Sequence, residues 1–156
     1  MSLEAHALWE VFYNQPIICA LIGWFVAQGL KIPLYFLVEH KWDLKRFVGS
    51  GGMPSSHTAM VVSLGIMVGA TQGFASAEFA ICFVLASIVM YDAAGVRRET
   101  GTQATVINQI LKDFLLNGKH ISDEELKELV GHTPLEVLCG AILGLIISGI
   151  YLLMMG

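Results

Sequence analysis

The segment that decides how this chain folds is GSGGMPSSHTA, residues 49–59. It follows a stretch containing lysine and arginine and precedes a long apolar run. Glycines let backbone N–H groups approach a ligand closely, and the first turn of a helix has free N–H groups that favour an anion. Ser55 and Ser56 would add hydroxyl donors beside Gly52. The segment therefore predicts an anion-binding turn at the start of a hydrophobic helix.

A simpler interpretation of the same segment is a helix cap, in which Pro54 and a serine only begin the helix. A cap accounts for the proline and for one serine. It leaves His57 and the additional glycines without a role. Both interpretations remain open from the sequence.

The composition indicates an integral membrane protein with a single domain over residues 1–156. The chain is 55% hydrophobic and 14% charged, and its mean hydropathy is +0.66. In soluble domains, charged residues make up about a quarter of the sequence. The net charge of −4 argues against a nucleic-acid partner.

Four stretches approach the roughly 20 apolar residues that a membrane-spanning helix needs. They are residues 16–38, 55–73, 78–96 and 133–155. Gln28, Lys31 and Pro33 interrupt the first stretch, which is therefore expected to kink or to leave the membrane near Pro33. The fold class predicted is an all-α membrane protein with about four spans.

Two further segments are predicted as amphipathic helices. Residues 101–117 place apolar side chains on one helical face, either at the membrane interface or as a lid on the bundle. Residues 2–13 could form a similar short interfacial helix. The apolar residues of the longer segment are Ile107, Ile110, Leu111, Phe114 and Leu115.

Small residues recur at every fourth position in two of the predicted spans. This spacing lets helix backbones approach closely, so we expect tight helix packing rather than a ligand role. The residues concerned are Gly65, Gly69 and Gly73 in the second span and Gly140, Gly144 and Ser148 in the fourth.

The positive charges predict the orientation in the membrane. Four spans place every lysine and arginine at or near one side, which the positive-inside rule makes cytoplasmic. Both termini then lie outside, in a bacterial-type cell membrane. The nine cations are Lys31, Lys41, Lys45, Arg46, Arg97, Arg98, Lys112, Lys119 and Lys127.

Ionisable side chains from separate spans should converge on this same face. The second and fourth spans begin there, the third ends there, and the first brings Lys31 to the same side. Ionisable groups are costly at this depth, so their convergence indicates a functional site. The converging residues are Lys31, His57, Asp92, Arg97, Arg98, His132 and Glu136.

The segment HTPLEV, residues 132–137, supports two interpretations that can hold together. Thr133, Pro134 and Glu136 have the pattern of a capping box with proline at the first helical position. His132 and Glu136 are also spaced i, i+4. The carboxylate could therefore hold one imidazole nitrogen and leave the other basic and directed at a substrate.

Asp92 lies one turn inside the third apolar run, where a carboxylate is costly unless it is paired. Arg97, Arg98 and Lys31 are its simplest partners. The two arginines could instead be membrane anchors. A metal site is not favoured, because the histidines and carboxylates lack compact zinc-motif spacing and the nearby cations oppose a bound cation. The three cysteines lie in apolar runs and are expected to be packing residues.

Three segments, SGGMPSSHTA, YDAAGVRRETGTQA and GHTPLEVLCG, resemble the divergent branch of the type 2 phosphatidic acid phosphatase superfamily. They lie in order over residues 49–140, and the hydrophobic framework extends the resemblance over most of the chain. The resemblance implies that His57 is the general acid and that Ser55 and Ser56 bind phosphate. It also implies that His132 is the nucleophile, oriented by Glu136, and that no cofactor is needed.

The sequence departs from the broader superfamily at its basic motifs. Leu126 stands six residues before His132, where an arginine is usual, and no Arg-Pro pair follows Lys31 at the expected distance. Arg97 and Arg98 are the natural substitutes for the missing arginine. Lys31 or Arg46 would replace the first motif.

The function expected is hydrolysis of a lipid or isoprenoid phosphate ester through a phosphohistidine, at the cytoplasmic face of the membrane. The partners expected are the lipid phosphate and the bilayer. A second copy of the chain is a further candidate, because four spans form a thin wall around a site. Two other functions fit the same residues. One is an anion or lipid transporter that binds without hydrolysis, and the other is a non-catalytic protein that kept the fold.

Overall fold

The computed structural model describes residues 9–40, 42, 47, 52–116 and 132–155, with the backbone alone at residues 38, 96–100 and 112–116. The elements are a 3-10 turn at Val11–Tyr13 and the helices α1 (Gln15–Glu39), α2 (Ser56–Gln72), α3 (Ala77–Ala94), α4 (Val96–Leu116) and α5 (Pro134–Met155). The described residues contain no strand. The protein is an all-α membrane protein, as the sequence predicted.

Side-chain caps begin the helices where the sequence changes from polar to apolar. Asn14 Oδ1 accepts the Ile17 N–H at 3.1 Å at the start of α1, and Ser76 Oγ accepts the Phe79 N–H at 3.1 Å at the start of α3. Thr133 Oγ1 accepts the Glu136 N–H at 3.3 Å at the start of α5. Each cap satisfies an N–H group that has no partner within its helix. The capping interpretation of residues 132–137 is therefore confirmed for the threonine.

Within the part of the chain that the structure describes, three helices are long and apolar enough to cross a membrane. Their apolar parts are Gln15–Leu37, Ala77–Ala94 and Pro134–Met155. The first span was predicted to kink or to leave the membrane near Pro33; α1 continues as one helix through Pro33 to Glu39, and its apolar part extends to Leu37. Membrane helices tolerate an internal proline when neighbouring groups satisfy the freed backbone carbonyl.

The 17 residues of α2 give a helix about 25 Å long, and it lies at the centre of the bundle. It packs against α1, α3 and α5, and α1 also packs against α5. The second half of α1, the end of α3 and the beginnings of α2 and α5 meet at one end of the bundle. Since α1 and α3 both run towards that end, α2 returns the chain between them. This topology favours α2 as the fourth span.

The small residues of α5 bring it close to α2, as their spacing predicted, whereas Gly65 and Gly69 of α2 face α3 and the turn before it. A Cβ atom on Gly144 would lie 2.8 Å from the Ala59 carbonyl oxygen, so only glycine allows this approach. Ser63 Oγ donates to the Gly144 carbonyl at 3.2 Å, and Ser148 Oγ donates to the same carbonyl at 2.8 Å. These bonds satisfy buried hydroxyls where no water can reach them. Gly73 is an exception to the predicted stripe, because it ends α2 at φ +96° and is exposed.

The amphipathic helix begins earlier than predicted and has its apolar face turned outward. Gly101, Ala104 and Asn108 form its buried side. The predicted apolar residues Ile107 and Ile110 are exposed, and the side chains at 114 and 115 lie outside the described residues. A lid would bury this apolar face against the bundle. The exposed face instead fits the interfacial alternative. Residues 2–8 of the other predicted interfacial segment lie outside the described residues.

Candidate active site

Two backbone hydrogen bonds join the three sequence motifs at one end of the bundle. The Ser55 N–H donates to the Glu136 carbonyl at 3.0 Å, which ties the start of α2 to the first turn of α5. The His132 N–H donates to the Ala93 carbonyl at 3.1 Å, which ties the residue before α5 to the end of α3. The starts of α2 and α5 and the end of α3 therefore lie together at this end of the bundle.

His132 and Glu136 form the contact that their spacing predicted. His132 Nδ1 lies 2.8 Å from Glu136 Oε2, and the histidine is 4% exposed. When Nδ1 carries the proton, it donates to the carboxylate and Nε2 keeps its lone pair. The carboxylate then fixes the orientation of the ring. This arrangement can activate Nε2 as a nucleophile or as a base.

Ser55 is the cap of α2. Its Oγ accepts the Thr58 N–H at 3.4 Å and the Thr58 hydroxyl at 3.0 Å. Its N–H is already donated to Glu136, and Ser55 is fully buried. The simpler cap interpretation thus accounts for Ser55, whose Oγ accepts in both bonds and keeps its own O–H as a donor.

The next two residues keep the features of an anion-binding turn. Ser56 and His57 hold the first two N–H groups of α2, which have no acceptor within the helix. Ser56 is buried and His57 is exposed. Gly52 has φ +82°, a conformation that favours glycine, so the turn before the helix requires it.

Lys31 and Gly52 line the same cavity, of about 260 Å³, at this end of the bundle. Lys31 is 3% exposed, one turn after Gln28 on α1. Gln28 Nε2 donates to the Phe47 carbonyl at 2.8 Å and so links α1 to the polar segment before α2. Among the described residues, Gln28 Oε1 has no hydrogen-bond partner. From the sequence, Gln28 was expected only to interrupt the apolar run, although an amide one turn from a lysine inside that run indicates a polar site.

The structure describes only some of the remaining predicted site residues. Asp92 is half-buried beside Ala93, whose carbonyl holds the His132 N–H. Arg97 and Arg98 lie in the first turn of α4, and their side chains are outside the described residues, as is all of Arg46. Within the ranges that the structure describes, no three His, Cys, Asp or Glu side chains are grouped as metal ligands would be.

Comparison with known proteins identifies relatives over the same region. A sequence model of the divergent PAP2 family matches residues 12–147. The chain is 38% identical over 149 residues to the "Uncharacterized membrane protein YuiD" of Bacillus subtilis (strain 168), a match that covers 89% of this chain and 94% of that protein. No solved structure matches the chain. The region matched by the family model includes all three motifs that meet at the bundle end.

Proposed function

The chain belongs to the divergent PAP2 family, and from this premise we propose that it hydrolyses a lipid or isoprenoid phosphate monoester at the cytoplasmic membrane face. The observation that carries the proposal is the buried His132, with Nδ1 held by Glu136 at 2.8 Å. This pair is bonded through the Glu136 backbone to the start of α2, where His57 lies. Phosphoryl transfer requires positioned groups above all.

In the first step, Nε2 of His132 attacks phosphorus in line with the ester oxygen. The N–P bond forms as the P–O bond to the lipid breaks, and His57 gives its proton to the departing alkoxide. In the second step, water attacks the phosphohistidine and gives its proton to His57. The P–N bond breaks, phosphate leaves and Nε2 of His132 recovers its lone pair.

Positive groups at this end would stabilise the charge on the phosphoryl oxygens. Lys31 supplies a buried ammonium group, and the first turn of α2 supplies N–H groups together with the helix dipole. Arg97 and Arg98 are the arginines nearest in sequence to Asp92 and are proposed to clamp the phosphate. Arg46 is a further candidate for the clamp. Asp92 would hold one of these cations in place.

The membrane setting supports a lipid as the substrate. The helices α1, α3 and α5 carry apolar stretches long enough to span a membrane, and the proposed site lies where α1 and α3 end. A phosphate headgroup at the membrane surface reaches this depth without leaving the bilayer. The cytoplasmic face follows from the positive charges, which the predicted topology places at that side.

Phosphoenzyme trapping tests the mechanism. We expect the wild-type protein to carry acid-labile, base-stable phosphate after a rapid quench with a phosphatidate or polyprenyl phosphate substrate. His132→Ala should form none, because nothing accepts the phosphoryl group. His57→Ala should be slow on the lipid but partly rescued by a nitrophenyl phosphate, whose leaving group needs no proton. Glu136→Gln should fall between the two.

The exposed His40, at the end of α1, gives a matched control. It adopts a left-handed conformation with φ 52°, which asparagine tolerates, so His40→Asn should keep full activity. Phosphoenzyme in His132→Ala would remove that residue from the nucleophile role. Equal losses on both substrates in His57→Ala would contradict a general acid there. No phosphate release by the wild-type protein from any lipid in the panel would contradict hydrolysis itself.

A further inference from the structure

An apolar groove runs between α1 and α5 in the half of the bundle that contains the proposed site. It encloses about 240 Å³ and is lined by Leu30 and Leu34 of α1, Met53, and Cys139, Ile142 and Ile146 of α5, among others. Met53, Ile142 and Ile146 are between 40% and 52% exposed, so the groove opens to the surface of the bundle. In a membrane, this surface faces lipid.

The groove adjoins the cavity that Lys31 lines. Leu34 and Met53 line both spaces. The second space, of about 260 Å³, is lined in addition by Lys31 and Gly52, and by Tyr35, Leu37 and Glu39. The apolar groove therefore adjoins a space in which the lysine is buried and the glutamate is exposed. This sequence of environments matches an amphiphile with an anionic head and a hydrocarbon chain.

We infer that the groove between α1 and α5 holds one hydrocarbon chain of the lipid whose phosphate group binds beside Lys31 and Gly52. The inference rests on the proposed function, because it assigns a chain path to the same substrate. The lipid would enter sideways from the bilayer, with its chain lying between the helices and its head pointing to the start of α2.

The groove positions the lipid and adds little to its binding free energy. A hydrocarbon chain in the bilayer is already in an apolar environment, so moving it into the groove gains little hydrophobic free energy. A chain fixed against Leu34 and Ile142 does, however, fix the headgroup. A misplacement of about 1 Å at a reacting centre can cost about 100-fold in rate. Long-chain substrates should therefore lose turnover when the groove is filled.

A matched pair of tryptophan variants on α5 tests this path by kinetics. Ile142 lines the groove and is 48% exposed, whereas Leu145 is 50% exposed and does not line it. The quantity measured is the ratio of kcat/KM for a long-chain lipid phosphate to kcat/KM for p-nitrophenyl phosphate. We expect Ile142→Trp to lower this ratio about tenfold or more, and Leu145→Trp to leave it unchanged. Equal ratios in the two variants would overturn the inference.

Photolabelling tests the same path without requiring hydrolysis. The full-length protein in nanodiscs is exposed to a phosphate monoester lipid with a diazirine in its chain, or to the same chain on a phosphocholine head. We expect labels on the groove residues of α1 and α5 from the phosphate lipid, and at least fivefold fewer from the phosphocholine lipid. Ile142→Trp should abolish this labelling, and Leu145→Trp should not.

The outcomes separate this inference from the proposed function. Groove labelling without hydrolysis would support the chain path and contradict the phosphatase. Hydrolysis with labels on the outer face of α3, or equal groove labelling by both heads, would contradict the chain path alone. Groove residues labelled in monomers but protected in dimers would make a second copy the occupant, which would also overturn it.

Discussion

Replacing Gly140 by alanine tests whether close packing of α2 and α5 sets the geometry of the proposed site. Gly140 lies one turn after Glu136 on α5. A Cβ atom at this position would be 2.5 Å from the Ser55 carbonyl oxygen and 3.0 Å from Thr58 Cβ. The nearest of these atoms belongs to the backbone, so it cannot move aside by a change of rotamer.

The magnitude follows from the distance. A carbon and a carbonyl oxygen in ordinary contact are about 3.3 Å apart, so α2 and α5 must separate by about 0.8 Å. The hydrogen bond from the Ser55 N–H to the Glu136 carbonyl is 3.0 Å long and would stretch beyond bonding distance. We expect overpacking to cost about 1–3 kcal/mol of stability. The shift of Glu136 relative to His57 should lower turnover by about 10- to 100-fold.

Gly149→Ala is the matched control, because no described atom lies within 4 Å of a Cβ at Gly149 on the same helix. Both variants gain the same intrinsic helix propensity, so the difference between them isolates the packing term. Thermal unfolding followed by circular dichroism measures stability, and phosphate release from a lipid phosphate measures turnover. If Gly140→Ala matched Gly149→Ala in both measurements, the close approach would not control the site.

Three other predictions test separate parts of the description. Replacing Arg97 or Arg98 by lysine keeps the charge but loses the planar guanidinium fork that binds phosphate. At least one of the two variants should therefore lower turnover tenfold or more. Full activity in both variants would indicate that the arginines are membrane anchors. In a cysteine-free background, a cysteine introduced at residue 42 or 119 should be labelled only from the cytoplasm, and one at residue 75 only from outside. The opposite labelling would reverse the predicted orientation of the protein in the membrane. Ser55→Ala and Ser76→Ala should each cost about 1 kcal/mol of thermal stability, since each serine caps a helix. Only Ser55→Ala should also lower phosphate release, and equal turnover in the two would contradict a link between Ser55 and the site.

Much of the fold could be predicted because the length of an apolar run specifies a membrane helix. The predicted stretches match α1, α2, α3 and α5 to within two residues at each end. The orientation of α4 was harder to predict. Periodicity shows that Ile107 and Ile110 share a face, but it does not show whether that face meets protein or lipid. In a membrane protein the apolar side of such a helix can face outward, and the small residues Gly101 and Ala104 are buried instead.

The site could be predicted where its contacts are local. The bond between His132 and Glu136 follows from i, i+4 spacing and a helix that begins between them. The bonds from Ser55 to Glu136 and from His132 to Ala93 could not be predicted, because they join backbone groups that are far apart in the chain. The groove between α1 and α5 could not be predicted for the same reason. It is a gap between helices, and no single segment specifies it.

Packing and chemistry are coupled in this bundle through α2. Its polar first turn brings Ser56 and His57 to the site, and its small residues let α5 approach. The Ser55 N–H reaches the Glu136 carbonyl only because Gly140 has no side chain to hold the helices apart. Glu136 in turn orients His132. Gly140, which the sequence assigned to helix packing, therefore also holds the first turn of α5 against the start of α2, where the two histidines of the proposed mechanism lie.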